Sequence, residues 1–203
     1  MKFKVLGVTI ELSFVLVAVF TLIVILDTSQ RLICCFISAL LHEAGHIFTM
    51  CRLGKKPKKI ICQLFNIKII DNSRVFYSYK ADLLVVLSGV TVNFILSIFS
   101  FIFFYISNME LLLTFSIVNL LTGLFNLLPV SNLDGGQAIY LILTQKFTEK
   151  TANRIIDVLT VLLIFPISIA GFIVLLNSKY NFSLLLISVY LIITLIIKNS
   201  KYF

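Results

Sequence analysis

The sequence predicts an all-α polytopic membrane protein of about six transmembrane helices, with a small membrane-associated β-hairpin after the second. Three observations carry that prediction. Hydrophobic residues make up 60% of the 203-residue chain and charged residues only 13%, with a mean hydropathy of +1.08. Apolar runs long enough to cross a bilayer, which takes roughly 17–25 residues each, recur along almost the whole length. The lysines and arginines fall in the segments between those runs. What remains outside the runs is too little for a water-soluble domain of useful size, so 1–203 reads as a single transmembrane domain. A net charge of +8 in a soluble protein would raise nucleic-acid binding. Here membrane topology explains the charge, and the expected partner is the lipid bilayer, with no nucleic acid.

The first run, 8–26, follows Lys2 and Lys4 and has the flavour of a signal peptide. Its length, and the polar stretch Asp27-Thr28-Ser29-Gln30 in place of a small-residue cleavage site, predict a retained helix instead. The second run covers 32–51, the third 83–106 and the fourth 111–130. The fifth, 158–176, contains Pro166 and Gly171, and the sixth, 182–197, is short. With six spans, all of the 17 basic residues except Arg31 and Lys179 share one side with both termini. Positively charged loops stay in the cytoplasm, so both termini are expected there, in a multi-pass protein of the cell membrane.

Between the second and third runs, Ile60–Ile70 and Val75–Tyr79 are rich in β-formers and flank the turn-forming Asp71-Asn72-Ser73. This predicts a hairpin, against the alternative of a basic, partly ordered loop. The four cysteines, at 34, 35, 51 and 62, form no CxxC pair and read as small buried hydrophobes.

The second run carries Leu41-His42-Glu43-Ala44-Gly45-His46. Residues four apart share a helix face, so His42 and His46 can both point at one metal ion. Glu43, beside them, can take a proton from a water at that ion, which is the arrangement of a zinc hydrolase. A bare HExxH is a short pattern that arises by chance. Here, however, the two histidines are the only ones in the chain, and with Glu43 they are the only charged or imidazole groups between Leu32 and Cys51. An ion at the centre of a membrane helix costs ~2.5–3.5 kcal/mol or more, and a bound metal is the simplest compensation for three such groups together.

A catalytic zinc site usually has three protein ligands, so a carboxylate is still required. Glu11, Asp27, Asp82, Glu110 and Asp157 fall near predicted span ends. Asp134 lies in Asn126-Leu127-Leu128-Pro129-Val130-Ser131-Asn132-Leu133-Asp134-Gly135-Gly136, where Pro129 should break the helix and two glycines permit close backbone approach. A broken helix at membrane depth must be buried in protein or line a wet cavity, which would put Asp134 in reach of an interior metal. An ordinary turn at a membrane exit, with Asp134 capping the next helix, explains the spacing equally well. In the third run, Ser88-Gly89-Val90-Thr91-Val92-Asn93 combines a glycine suited to close helix approach with a polar amide that needs a partner. Asn93 could steady a metal ligand, bind substrate backbone, stabilise an oxyanion, or simply join two helices.

Taken in order, HEAGH, SGVTVN and NLLPVSNLDGG resemble the three-helix core, 32–136, of the site-2 protease family of intramembrane zinc metalloproteases. The compact chain is similar to bacterial members such as the group of stage IV sporulation protein FB. The resemblance implies a metalloendopeptidase with one Zn2+ per chain, held by His42, His46 and Asp134. Glu43 would be general base and Asn93 a substrate or transition-state contact. The β-prone loop would pair with an extended substrate. Substrates would be transmembrane segments of membrane-tethered proteins, and a regulatory membrane protein is a candidate further partner. The chain departs from the family at Val90, where proline is frequent, and at Gln137, where arginine is frequent. Two other classes fit the intramembrane histidines: a metal transporter or sensor, and an inactive protease-like scaffold. A transporter needs further ligands along a path, and a scaffold has no use for Glu43.

Overall fold

The computed structural model describes residues 2–5, 8–14, 30–54, 59–63, 66–70 and 78–178, with isolated positions 18, 21, 22, 24, 27, 189 and 192. The chain forms two compact units, residues 1–125 and 126–203.

The first unit opens with two strands, β1 (Lys2–Val5) and β2 (Val8–Leu12). Helix α1 (Arg31–Arg52) follows, then β3 (Lys59–Gln63) and β4 (Asn66–Ile70). Helices α2 (Tyr79–Ser107) and α3 (Glu110–Asn126) complete it. The strands make one sheet in the order β1-β2-β3-β4, with β2 and β3 parallel and the outer pairs antiparallel. Lys2 Nζ meets Glu11 Oε1 at 2.8 Å across β1 and β2. The hydrogen bond and charge of Glu11 hold the Lys2 ammonium above its usual pKa.

Two expectations are corrected here. The protein is not all-α, because the start of the predicted first span, residues 8–12, is a strand. Val8, Thr9 and Ile10 are β-branched, Thr9 and Ile10 pair on both sides, and an apolar run alone does not distinguish a buried strand from a helix. Helical backbone in that span appears at Phe14, Ala18, Thr21, Leu22 and Val24. The predicted hairpin is also built differently. Its first arm, 60–70, folds as two strands, with Gln63 opposite Asn66 across a two-residue connection. The predicted turn at 71–73 and the second arm up to residue 77 lie outside the described residues, and Tyr79 already opens α2.

Among the described residues three helices are long and apolar enough to cross a membrane: α1, α2 and the stretch Glu149–Asn177. Helix α3 is apolar but shorter, and ends at Asn126 rather than at the expected residue 130. The expected sixth span, 182–197, lies outside the described residues except for Val189 and Ile192, both helical.

Local sequence sets the helix ends. Asp27 Oδ2 accepts from the backbone N–H of Leu32 at 2.7 Å and of Ile33 at 3.1 Å, filling the role of an N-cap for α1. Gly54 closes that helix at φ +81°, where a side chain would be strained. Asn108 closes α2 at φ 55° and donates its N–H to Phe104 O at 2.7 Å.

Packing in this unit is inside-out relative to a soluble protein. The buried positions of α2 are Gly89, Val90, Asn93, Ser97 and Ser100, while Ile98, Phe99, Phe101, Ile102 and Phe103 are exposed. Buried positions on α1 include Ser38, His42, Gly45 and His46, and on α3 they are Ser116, Asn119 and Gly123. Lipid satisfies an apolar surface, so membrane helices bury their small and polar groups against one another. Gly45 and Gly89 bring α1 and α2 together: a Cβ on Gly45 would sit 2.9 Å from Val92 Cγ2, 3.0 Å from Ser88 O and 3.2 Å from Gly89 Cα. Helices α2 and α3 are joined by reciprocal bonds, Ser97 Oγ to Ser116 O at 2.9 Å and Ser116 Oγ to Ser97 O at 2.8 Å.

The second unit holds the loop 127–133, helix α4 (Asp134–Thr144) and helix α5 (Glu149–Ser178), with Pro166 inside α5. Pro129 stops the preceding helix. Gly135 and Gly136 then let the first turn of α4 lie directly on the loop, since a Cβ on either would run into the carbonyl of Leu127 or Val130. Thr160, fully buried on α5, accepts from Ser131 N at 3.2 Å and donates to Ile156 O at 2.8 Å. Thr160→Val keeps the shape and removes the acceptor. It is expected to lower stability by about 1 kcal/mol, read as a fall in the unfolding midpoint in detergent.

Candidate metal centre

Ser38, His42 and His46 stand on one face of α1, four residues apart, and that face is turned to α2. His42 is 5% exposed and His46 9%. Their Nε2 atoms lie 3.2 Å apart with the rings nearly perpendicular.

The other ring nitrogens are held from behind. His46 Nδ1 lies 2.7 Å from Val85 O. A carbonyl only accepts, so Nδ1 carries the proton and Nε2 keeps its lone pair. His42 Nδ1 lies 2.6 Å from Asn93 Oδ1, an acceptor as well, and the same assignment follows. Two Nε2 lone pairs at 3.2 Å repel unless a cation lies against both. In a tetrahedral site with Zn–N bonds of ~2.0–2.1 Å, two nitrogens are separated by roughly 3.3 Å. The donor chemistry and the spacing therefore fit zinc.

Gly89 makes room for this arrangement. A Cβ there would lie 2.5 Å from His46 Nε2, 2.7 Å from His46 Cε1 and 2.8 Å from His42 Cε1. The sequence marks Gly89 as a point of helix approach; its closer duty is to leave space for two imidazoles.

No protein-family model matches the chain. A zinc metalloprotease of Methanocaldococcus jannaschii is 30% identical over 166 residues, which cover 75% of this chain and 48% of that protein. The chain thus spans about half the length of this curated relative. The solved structure of a site-2 protease from Methanocaldococcus jannaschii superposes with a TM-score of 0.66 at 26% identity, covering 94% of this chain and 91% of the other. In sequence and fold the chain is similar to site-2 proteases.

The residues singled out in the sequence lie in these places. His42, Glu43 and His46 are on α1, with Glu43 half-buried. Asn93 is on α2, fully buried beside His42. Asp134 is the first residue of α4 in the second unit, also half-buried. Sequence reading passed over the groups behind Asn93. Asn93 Nδ2 donates to Ser38 Oγ at 3.1 Å and to Asn119 Oδ1 at 3.0 Å. Ser38 Oγ in turn reaches Asn119 Oδ1 at 3.0 Å and Thr122 Oγ1 at 3.2 Å. A signal for them existed in the sequence: Ser38 is one turn before His42, and Asn119 is an amide in the middle of an apolar run.

Proposed function

We propose that the protein is a zinc-dependent intramembrane endopeptidase that cleaves transmembrane segments of membrane-tethered proteins. The observation that carries this reading is the pair of imidazoles with both Nδ1 protons committed and both Nε2 lone pairs converging at 3.2 Å. The names of the similar archaeal proteins, a zinc metalloprotease and a site-2 protease, support it. The transporter alternative draws no comparable support, since His42 and His46 are the only histidines available to form a path.

In this reading His42, His46 and Asp134 hold one zinc ion per chain. When bound, zinc supplies Lewis acidity, polarising a carbonyl and making water acidic enough to lose a proton near neutral pH. Glu43 takes that proton as water attacks the scissile carbonyl, and afterwards returns it to the leaving amine. Asn93 holds His42 from behind. The substrate helix must unwind before it is cut, and an extended segment can then add to an edge of the described sheet. The basic segments, including 52–59, would face the cytoplasm together with both termini, since Arg and Lys mark the cytoplasmic side. HEAGH sits in the second half of α1, so water would reach it from that side over a short distance.

Asp134 is the ligand this proposal most needs to test. Detergent-purified wild type is expected to carry about one zinc per chain by metal analysis. Asp134→Ala is expected to lose most of it after brief exposure to a chelator, with its helical content kept. Equal zinc in both proteins would remove Asp134 as a ligand. No zinc in folded wild type would overturn the enzyme reading.

A further inference from the structure

We propose that Asn119, on α3, is a positioning residue that sets the tautomer of His42 through a one-way relay of hydrogen bonds. The inference rests on the reading that His42 binds zinc, and deepens it.

The relay begins at a main-chain carbonyl. Asn119 Nδ2 donates to Phe115 O at 2.8 Å. A carbonyl accepts only, so the amide nitrogen of Asn119 must face it, and Oδ1 must face the other way. That oxygen receives Asn93 Nδ2 at 3.0 Å and Ser38 Oγ at 3.0 Å. Asn93 is thereby turned in its own right: with Nδ2 committed to Asn119 and Ser38, its Oδ1 is the atom that faces His42 Nδ1 at 2.6 Å. The imidazole then carries its proton on Nδ1 and presents the lone pair of Nε2.

Every link lies within the first unit, and Ser38, Asn93 and Asn119 are each fully buried. Thr122 closes the far end. It donates to Val118 O at 2.8 Å, so its oxygen is the second acceptor, at 3.2 Å, for the single Ser38 Oγ proton that lies closer to Asn119 Oδ1. His46 needs no such relay, because Val85 O fixes its tautomer directly.

The physical problem being solved is an ambiguity. A carboxamide has nearly the same shape in its two orientations. If Asn93 were reversed, its Nδ2 would donate to His42 Nδ1, the ring proton would move to Nε2, and Nε2 could not ligate a metal. Nothing in the shape of the Asn93 site prevents this; the acceptor oxygen of Asn119 does. Groups that orient a metal-binding histidine typically change metal affinity about 10- to 100-fold when removed.

The test is zinc affinity of the full chain in detergent, by competition with a chromophoric chelator, with the absorption spectrum of the Co2+-substituted protein as second readout. Asn119→Leu is expected to bind zinc at least about tenfold more weakly than wild type and to alter the Co2+ bands. The double variant Asn93→Asp/Asn119→Leu is expected to recover to within about threefold, because a carboxylate offers His42 an oxygen whichever way it turns. Unchanged affinity in Asn119→Leu would overturn the relay. So would a loss that Asn93→Asp does not repair, since that would be a packing effect. If Asn119→Leu does not fold, Asn119→Ala, which adds no branch, is measured with the same rescue. Zinc-free wild type would overturn the reading of His42 as a ligand and the relay with it, whereas zinc-loaded wild type with an indifferent Asn119→Leu would overturn the relay alone.

Discussion

Replacing Glu43 with Gln is expected to leave zinc bound and to lower the cleavage rate about 10³-fold. The substitution preserves size and the capacity to hydrogen-bond. It removes the one property that a general base needs, a pair of electrons basic enough to take a proton. Glu43 is held on α1 between the two histidines, so its backbone is fixed by the same helix that fixes them. Helical content and the positions of His42 and His46 should not change. The measurement pairs zinc analysis with cleavage of a transmembrane substrate in detergent or liposomes. Cleavage at the wild-type rate would remove Glu43 from the mechanism. Loss of zinc together with activity would assign it a part in building the site instead.

Gly89→Ala is expected to weaken zinc binding about 100-fold while leaving the helices formed. The added methyl would fall 2.5 Å from His46 Nε2 and 2.8 Å from His42 Cε1, well inside contact distance. Neither ring can yield cheaply. His46 would have to leave Val85 O and His42 would have to leave Asn93 Oδ1. The alternative is for α2 to back away from α1, and overpacking of that kind costs about 1–3 kcal/mol. Gly45→Ala is the control, because its new methyl would meet Val92, the Ser88 carbonyl and the Gly89 backbone, and neither imidazole. Both variants should unfold at lower temperature. Zinc affinity should fall in Gly89→Ala and stay within a few-fold of wild type in Gly45→Ala. Equal zinc affinity in the two would show that the space at Gly89 serves helix packing only.

Much of the site was legible in the sequence because its chemistry is local to a helix. Two histidines four apart must share a face of α1, and three costly groups in an apolar run need a common purpose. Gly89 and Asn93 were conspicuous for the same reason, as a missing side chain and a polar one where neither is cheap. Asp134 stood out through its neighbours, Pro129 and the two glycines, which announce a break followed by close approach.

What one run cannot show is its partner. Ser38 and Asn119 sit in suggestive places along the sequence, but they gain a role only when the fold brings them against Asn93 from 55 and 26 positions away. Residues 8–12 have the hydropathy of a membrane helix, and became a strand because β1 and β3 lie on either side to pair with them. The reversal between Gln63 and Asn66 was invisible for a similar reason, since a continuous β-prone run does not say where it folds back on itself. The sequence by itself determined which helices are apolar, which face of α1 carries the chemistry, and which residues suit a metal. Only the tertiary structure decided which nitrogen of each histidine is left to face a metal. A tautomer is chosen by the group behind the ring, and that group comes from another helix.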